Sequence, residues 1–287
     1  MKSVMMLEGG SYRGIYTAGI LDVFMEHEVY PDCVVGVSAG ALNGIGYVAK
    51  QPGRCRDVVL SYGMDPRYVG TKALRREHNL VGFDFILREM QDILPLDEET
   101  FYHSGIKFYA TATNCDTGKQ EYFDRDAAED IMTAVAASSS MQYLCRKVQI
   151  GEHKYLDGGI GPHLPLRFLD QHPEYDRVAV ILTRRLEYRK RPVSRVMENL
   201  ARRLYKDYPE LLSLLLTEPE RYAAERKKLA ELRDQGKIFL IEPETELDIG
   251  KLERDKEKLR AGYRQGRADG EKYWQQMRDF LRGGEDR

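Results

Sequence analysis

The chain has 287 residues, 42% hydrophobic, 31% charged and 10% aromatic, which supports a sizeable packed core and argues against disorder. Its 44 basic and 46 acidic side chains leave a formal net charge of -2, so no global field attracts a polyanion and a general nucleic-acid binder is disfavoured. The apolar runs are far shorter than the roughly 20 residues that span a bilayer, and residues 1–10 lack the apolar stretch of a signal peptide, so a cytoplasmic location is expected. Cys33, Cys55, Cys115 and Cys145 are widely spaced without a Cys-x-x-Cys, and read as reduced, mostly buried thiols rather than metal ligands.

Residues 2–7 form an apolar run that stops at Gly9-Gly10, which predicts a buried strand ended by a tight turn. After Gly14, apolar residues recur at helical spacing as far as Glu26-His27-Glu28. Residues 33–37 are again continuous and β-branched, and a small-residue helix follows from Ser38 to about residue 49. The strand–helix unit thus repeats, the pattern of a parallel sheet with helices on its faces. Residues 54–104 read as helical and irregular, with Asp97 as an N-cap. Residues 106–113 and 120–123 flank Asp116-Thr117-Gly118 as a hairpin, so the sheet is expected to be mixed. A helix over 127–140, short strands over 148–150 and 154–156 and a buried strand over 177–183 complete an α/β core expected to span residues 1–185.

Residues 186–287 are expected to form a mainly helical extension packed on that core. At its start, residues 184–206 carry nine basic side chains against Glu187 and Glu198, and read as a basic helical stretch. The first reading is a solvated helix face; the second is transient contact with an anionic membrane surface, which would make the protein peripheral to a membrane. The leucines between Pro209 and Pro219 are able to pack over a cleft and are expected to pack in the core rather than to contact lipid, and a strand over 237–241 is expected to join the sheet edge between helices over 220–234 and 248–281.

Three short motifs carry chemistry. Gly36-Val37-Ser38-Ala39-Gly40 is a Gly-x-Ser-x-Gly between a predicted strand and a predicted helix, where a nucleophile elbow must lie. Glu8-Gly9-Gly10-Ser11-Tyr12-Arg13-Gly14 also joins a strand to a helix; its glycines let backbone N–H groups approach an anion, and Arg13 adds a positive fork. It lacks the spacing of nucleotide phosphate loops, and an oxyanion hole fits better. Asp157-Gly158-Gly159 ends a short strand and holds a carboxylate on a tight turn, from which it could take a serine proton directly. A Ser-His-Asp arrangement with His163 or His172 stays open, because both follow Asp157 in the chain order that some serine hydrolases use.

Taken in order, the three motifs resemble those of the patatin-like phospholipase family: Asp-Gly-Gly-Gly-x-Arg-Gly, Gly-x-Ser-x-Gly and Asp-Gly-Gly, with Ala137-Ser138 similar to the small residues before the last motif. The resemblance covers about residues 1–185. It implies a three-layer α/β fold with a mostly parallel central sheet, and a serine hydrolase acting on phospholipid, lysophospholipid or another lipid-like acyl ester. It further implies Ser38 as nucleophile, Asp157 as the base of a dyad, and an oxyanion hole at Gly9, Gly10 and Ser11. Arg13, Gly14, Gly36, Gly40, Gly158 and Gly159 would support these, and neither metal nor organic cofactor is implied. Glu8 stands where the family has Asp, and Ser11 where it has a third Gly. A side chain in a left-handed conformation at Ser11 would cost about 1–2 kcal/mol and narrow the hole. The competing reading is a non-catalytic lipid- or anion-binding protein with the same fold.

Overall fold

The computed structural model describes residues 2–283. Eight strands form one mixed sheet: β1 (Lys2–Leu7), β2 (Cys33–Val37), β3 (Lys107–Asn114), β4 (Gln120–Asp124), β5 (Val148–Ile150), β6 (His153–Asp157), β7 (Tyr175–Ile181) and β8 (Ile238–Ile241). The order is β5-β6-β3-β2-β1-β7-β8, with β4 also pairing β3. β3, β2, β1, β7 and β8 run parallel, while β4 and β6 run antiparallel to β3 and β5 antiparallel to β6. The expected strand near residue 240 therefore does close one edge of the sheet.

The parallel strands are continuous apolar runs because both of their faces are covered. Met5 and Leu7 of β1 pack on one side against α1 (Gly14–Glu26), α2 (Ala39–Val48), α3 (Ile131–Ser138) and the last helix. Val4 and Met6 face the opposite layer, which includes Leu164, Phe168 and Leu229. The C-terminal helices are α4 (Arg195–Leu204), α5 (Pro209–Leu216), α6 (Glu218–Asp234) and α7 (Lys256–Arg282). α7 lies on α1 and is tied to it by reciprocal buried bonds, Tyr16 Oη to Asp269 (2.7 Å) and Tyr263 Oη to Asp22 (2.7 Å). α4 and α5 bury Ala201, Tyr205, Leu211 and Leu215 against Leu156 and Ile160, on either side of Asp157. The expected leucine packing is thus observed, over the turn that carries a candidate site residue.

One expectation needs correction: the basic stretch is not helical throughout. Residues 184–194 are irregular, and α4 starts only at Arg195, where Ser194 caps it by accepting from Met197 N (3.3 Å). Pro192, two residues before that cap, removes a backbone donor and biases its neighbour away from helix. Likewise α7 begins at Lys256 rather than near 248, with Asp255 capping the N–H groups of Glu257 and Lys258. Asp97 caps the helix Glu98–His103 as expected, accepting from Thr100 N at 2.9 Å.

Candidate active site

Register brings the three motifs together. Leu7 pairs with Gly36 and Val37 with Thr111, so the loops after β1 and β2 leave neighbouring strands at one end of the sheet. β6 enters from that end, antiparallel to β3, and Asp157 pairs with Ala112, one residue beyond Thr111. The chain then turns off the sheet toward Ser38. Thr113 Oγ1 donates to Asp157 O (2.9 Å), Gly161 N donates to Thr113 Oγ1 (3.2 Å), and Asp157 N donates to Ser140 O (2.9 Å).

Ser38 caps α2 at φ 54°, ψ -122°, a conformation that costs a non-glycine residue on the order of 1–3 kcal/mol. The strain is held by close packing on both sides. A Cβ on Gly40 would lie 2.3 Å from Leu7 O, and one on Gly36 would lie 2.4 Å from Ala41 Cα. Ser38 N donates to Ser138 Oγ (2.8 Å), which gives the small residues before the last motif a part in holding the elbow. Ser38 Oγ donates to Asp157 Oδ2 at 2.7 Å, and Asp157 Oδ1 accepts from Gly159 N at 2.8 Å. Burial pushes the Asp157 carboxyl above its ordinary value, opposed in part by those two bonds and by the charges of His163 and Lys251.

The glycine loop runs close beside the serine. Gly9, Gly10 and Ser11 line one pocket with Ser38 and Asp157, and among the described residues their N–H groups donate to no protein acceptor. Ser11 adopts φ 52°, the left-handed conformation anticipated for it, and its Oγ donates to Lys251 O at 2.5 Å. The side chain is thereby turned to the segment before α7. Ser11→Ala is expected to lose about 1 kcal/mol of stability, since it keeps the strain and loses the bond. Ser11→Gly should recover at least that amount, because it removes the left-handed cost of about 1–2 kcal/mol. Urea denaturation of the three proteins checks the order.

Two pockets meet at Ser38. One, of about 620 Å³, is mainly apolar, lined by residues such as Ile15, Leu42, Val81, Ile86 and Leu252. The other, of about 530 Å³, carries charged groups, with Arg13, Lys190 and Lys251 beside Ser38 and Asp157. Arg13 is nine-tenths buried, and its Nε has no hydrogen-bond partner among the described residues. Burial lowers the Lys190 ammonium, although it is bonded to Glu218; Glu218, partly buried, is held well below its ordinary value by His163 and Lys190 against the cost of desolvation. Neither Lys190 nor Lys251 belongs to a motif, and so neither is placed in the site by sequence reading.

Among the described residues, neither His163 nor His172 hydrogen-bonds to Ser38 or Asp157. His163 lies in the second pocket with its Nε2 2.6 Å from Lys190 Nζ, while its Nδ1, 3.5 Å from a Glu225 oxygen, makes no hydrogen bond among the described residues. His172 stacks on Phe168 with centroids 4.1 Å apart. Sequence reading also missed Arg226 and Thr183. Glu8, Arg226 and Thr183 form a buried cluster: Arg226 binds one carboxylate oxygen of Glu8, and Thr183 N donates to the other at 2.7 Å. Thr183 Oγ1 lies 2.8 Å from Gly9 O. Glu8 in place of Asp was the available signal, as its longer side chain reaches a helix of the C-terminal region.

Among the described residues, no group of three or more His, Cys, Asp and Glu side chains is arranged to hold a metal ion, and no helix is long and apolar enough to cross a membrane. Residues 208–282 match a family model described as a domain of unknown function (DUF6363). Uncharacterized protein YjjU of Escherichia coli (strain K12) is 32% identical over 168 residues, 57% of this chain and 47% of the relative, so the chain spans about half the length of the curated relative it matches. The crystal structure of VipD from Legionella pneumophila aligns with a TM-score of 0.48 at 13% identity, covering 96% of this chain and 67% of that one. Residues 5–170, more than half of the chain and including both Ser38 and Asp157, match the model for patatin-like phospholipase, and the chain belongs to that family.

Proposed function

We propose that the chain hydrolyses a carboxylic ester of a lipid through Ser38 and Asp157, without a histidine. The observation that carries this is the 2.7 Å bond from Ser38 Oγ to Asp157 Oδ2 at a strained elbow. Asp157 takes the hydroxyl proton as Ser38 Oγ attacks the ester carbonyl. The negative charge that develops on the carbonyl oxygen meets the free N–H groups of Gly9, Gly10 and Ser11, which need no reorganisation to receive it. Collapse breaks the ester C–O bond, and the proton passes from Asp157 to the leaving alcohol. Water, deprotonated by Asp157, then attacks the acyl-enzyme; the acyl C–Oγ bond breaks, the proton passes from Asp157 to Ser38 Oγ, and the fatty acid leaves.

The two pockets suit an amphiphile: the apolar one for the acyl chain, and the one with Arg13, Lys190 and Lys251 for an anionic head. A phospholipid or lysophospholipid has that form. Labelling with a fluorophosphonate probe, read by intact mass, tests the dyad. Wild type and His163→Gln are expected to take one label, and Ser38→Ala none. A folded wild type that takes no label would leave the pocket as a lipid- or anion-binding site.

A further inference from the structure

We propose that α4 is a docking helix for the surface of an anionic lipid bilayer. Val196, Leu200 and Leu204 are 76%, 37% and 47% exposed, and they recur every four residues along α4. That spacing sets them in one stripe, since residues four apart lie on the same side of a helix. The opposite side is fixed to the protein: Ala201 and Tyr205 are buried against Leu156 and Ile160. The stripe is therefore an outer face of a firmly seated helix and not a frayed end.

Cations accompany the stripe along the same segment. Arg203, three residues after Leu200 and seven after Val196, falls on the same side of the helix. Arg191, Arg195, Arg203 and Lys206 are exposed and have no carboxylate partner among the described residues, whereas Arg202 is paired with Glu198 at 2.8 Å. Unpaired cations around an apolar stripe match a lipid surface with negative headgroups: the aliphatic side chains enter the acyl boundary and the long basic chains reach back to the phosphates. An overall charge of -2 makes this local accumulation a property of one patch rather than of the chain. A protein partner would cover the leucines equally well, but the excess of unpaired positive charge selects an anionic surface.

The location gives the patch a use. Tyr143 N donates to Tyr205 Oη at 2.9 Å, and Met141, two residues before Tyr143, lines both pockets at Ser38. Leu252, also exposed, lines the apolar pocket. The end of α4 is thus tied through Tyr205 to the segment that lines both pockets, which couples a helix seated on a bilayer to the walls around Ser38. This inference goes beyond the proposed hydrolysis and does not depend on it, because binding is read with the nucleophile removed.

The test is co-sedimentation of Ser38→Ala with vesicles of phosphatidylcholine alone or mixed with phosphatidylglycerol. Binding is expected only to the mixed vesicles, weakening at high ionic strength. Adding Arg195→Gln and Arg203→Gln should lower it roughly fivefold per charge. Adding Val196→Ser, Leu200→Ser and Leu204→Ser together should lower it more than about tenfold, with a cooperative thermal transition retained because none of these side chains belongs to the buried core. In the Ser38-containing protein, the same serine triple should leave turnover of a water-soluble short-chain ester unchanged. Absence of binding to mixed vesicles at low ionic strength, or binding indifferent to the serine triple, would overturn the proposal. So would a change from dimer to monomer on the serine triple in sedimentation equilibrium, which would make a second copy the occupant.

Discussion

Asp157→Asn is expected to lower turnover by about 10²–10⁴, the range removed with a general base, while the protein stays folded. Asparagine can still accept from Ser38 Oγ, but it cannot take the proton, so geometry is kept and basicity is lost. The pH dependence carries the same signature. Burial raises the Asp157 carboxyl above its ordinary 3.8, so the carboxylate form needed for catalysis appears only above that value. In wild type, kcat/KM should rise about tenfold per pH unit along an acid limb that levels off only above pH 3.8, and that limb should vanish in the variant. Stability moves in the opposite direction. Between 3.8 and the native value the unfolded chain has released the proton that the native chain retains, so wild-type stability falls as pH rises through this interval and is level above it. Asp157→Asn should flatten that segment in a urea series. A variant of undiminished rate would remove Asp157 from the mechanism.

The elements legible in the sequence are those whose physics is local. β1 and β2 read as continuous apolar runs because both faces are covered, and the residues fall where the pattern sets them, Lys2–Leu7 and Cys33–Val37. The elbow is legible because a turn this tight tolerates only glycine at Gly36 and Gly40. The site beyond the motifs was hidden for the complementary reason. Lys190 and Lys251 reach the pocket from irregular segments, and neither helical period nor turn chemistry marks a side chain for such a place. The onset of α4 was misread because nine basic residues dominate the composition of 184–206, although Pro192 and Ser194 fix where the helix can start. Long-range pairing, as between Glu8 and Arg226, leaves no periodic trace at all.

That pair yields the second large effect. Arg226 and Glu8 are each 2% exposed, and Arg226 donates to a Glu8 oxygen and to Tyr222 Oη. Arg226→Met leaves the Glu8 carboxylate buried without its cation, and the expected loss is about 3–5 kcal/mol, read by urea denaturation. The loss should be smaller when both partners change. Glu8→Leu with Arg226→Met removes both charges, and a buried pair exchanged for apolar groups is often neutral in stability. Activity should separate from stability in that double variant. Glu8 Oε2 accepts from Thr183 N, and Thr183 Oγ1 lies within hydrogen-bond distance of both Glu8 Oε2 (3.1 Å) and Gly9 O (2.8 Å). Without the carboxylate, Thr183 and the Gly9 carbonyl lose their common anchor, and the N–H groups beside Ser38 lose their fixed aim. Removing one such donor elsewhere costs about 10²–10³ in rate, so a double variant of near wild-type stability should show kcat reduced by up to that factor with KM little changed. Full activity in the double variant would confine Arg226 to a purely structural role, and Glu8 with it.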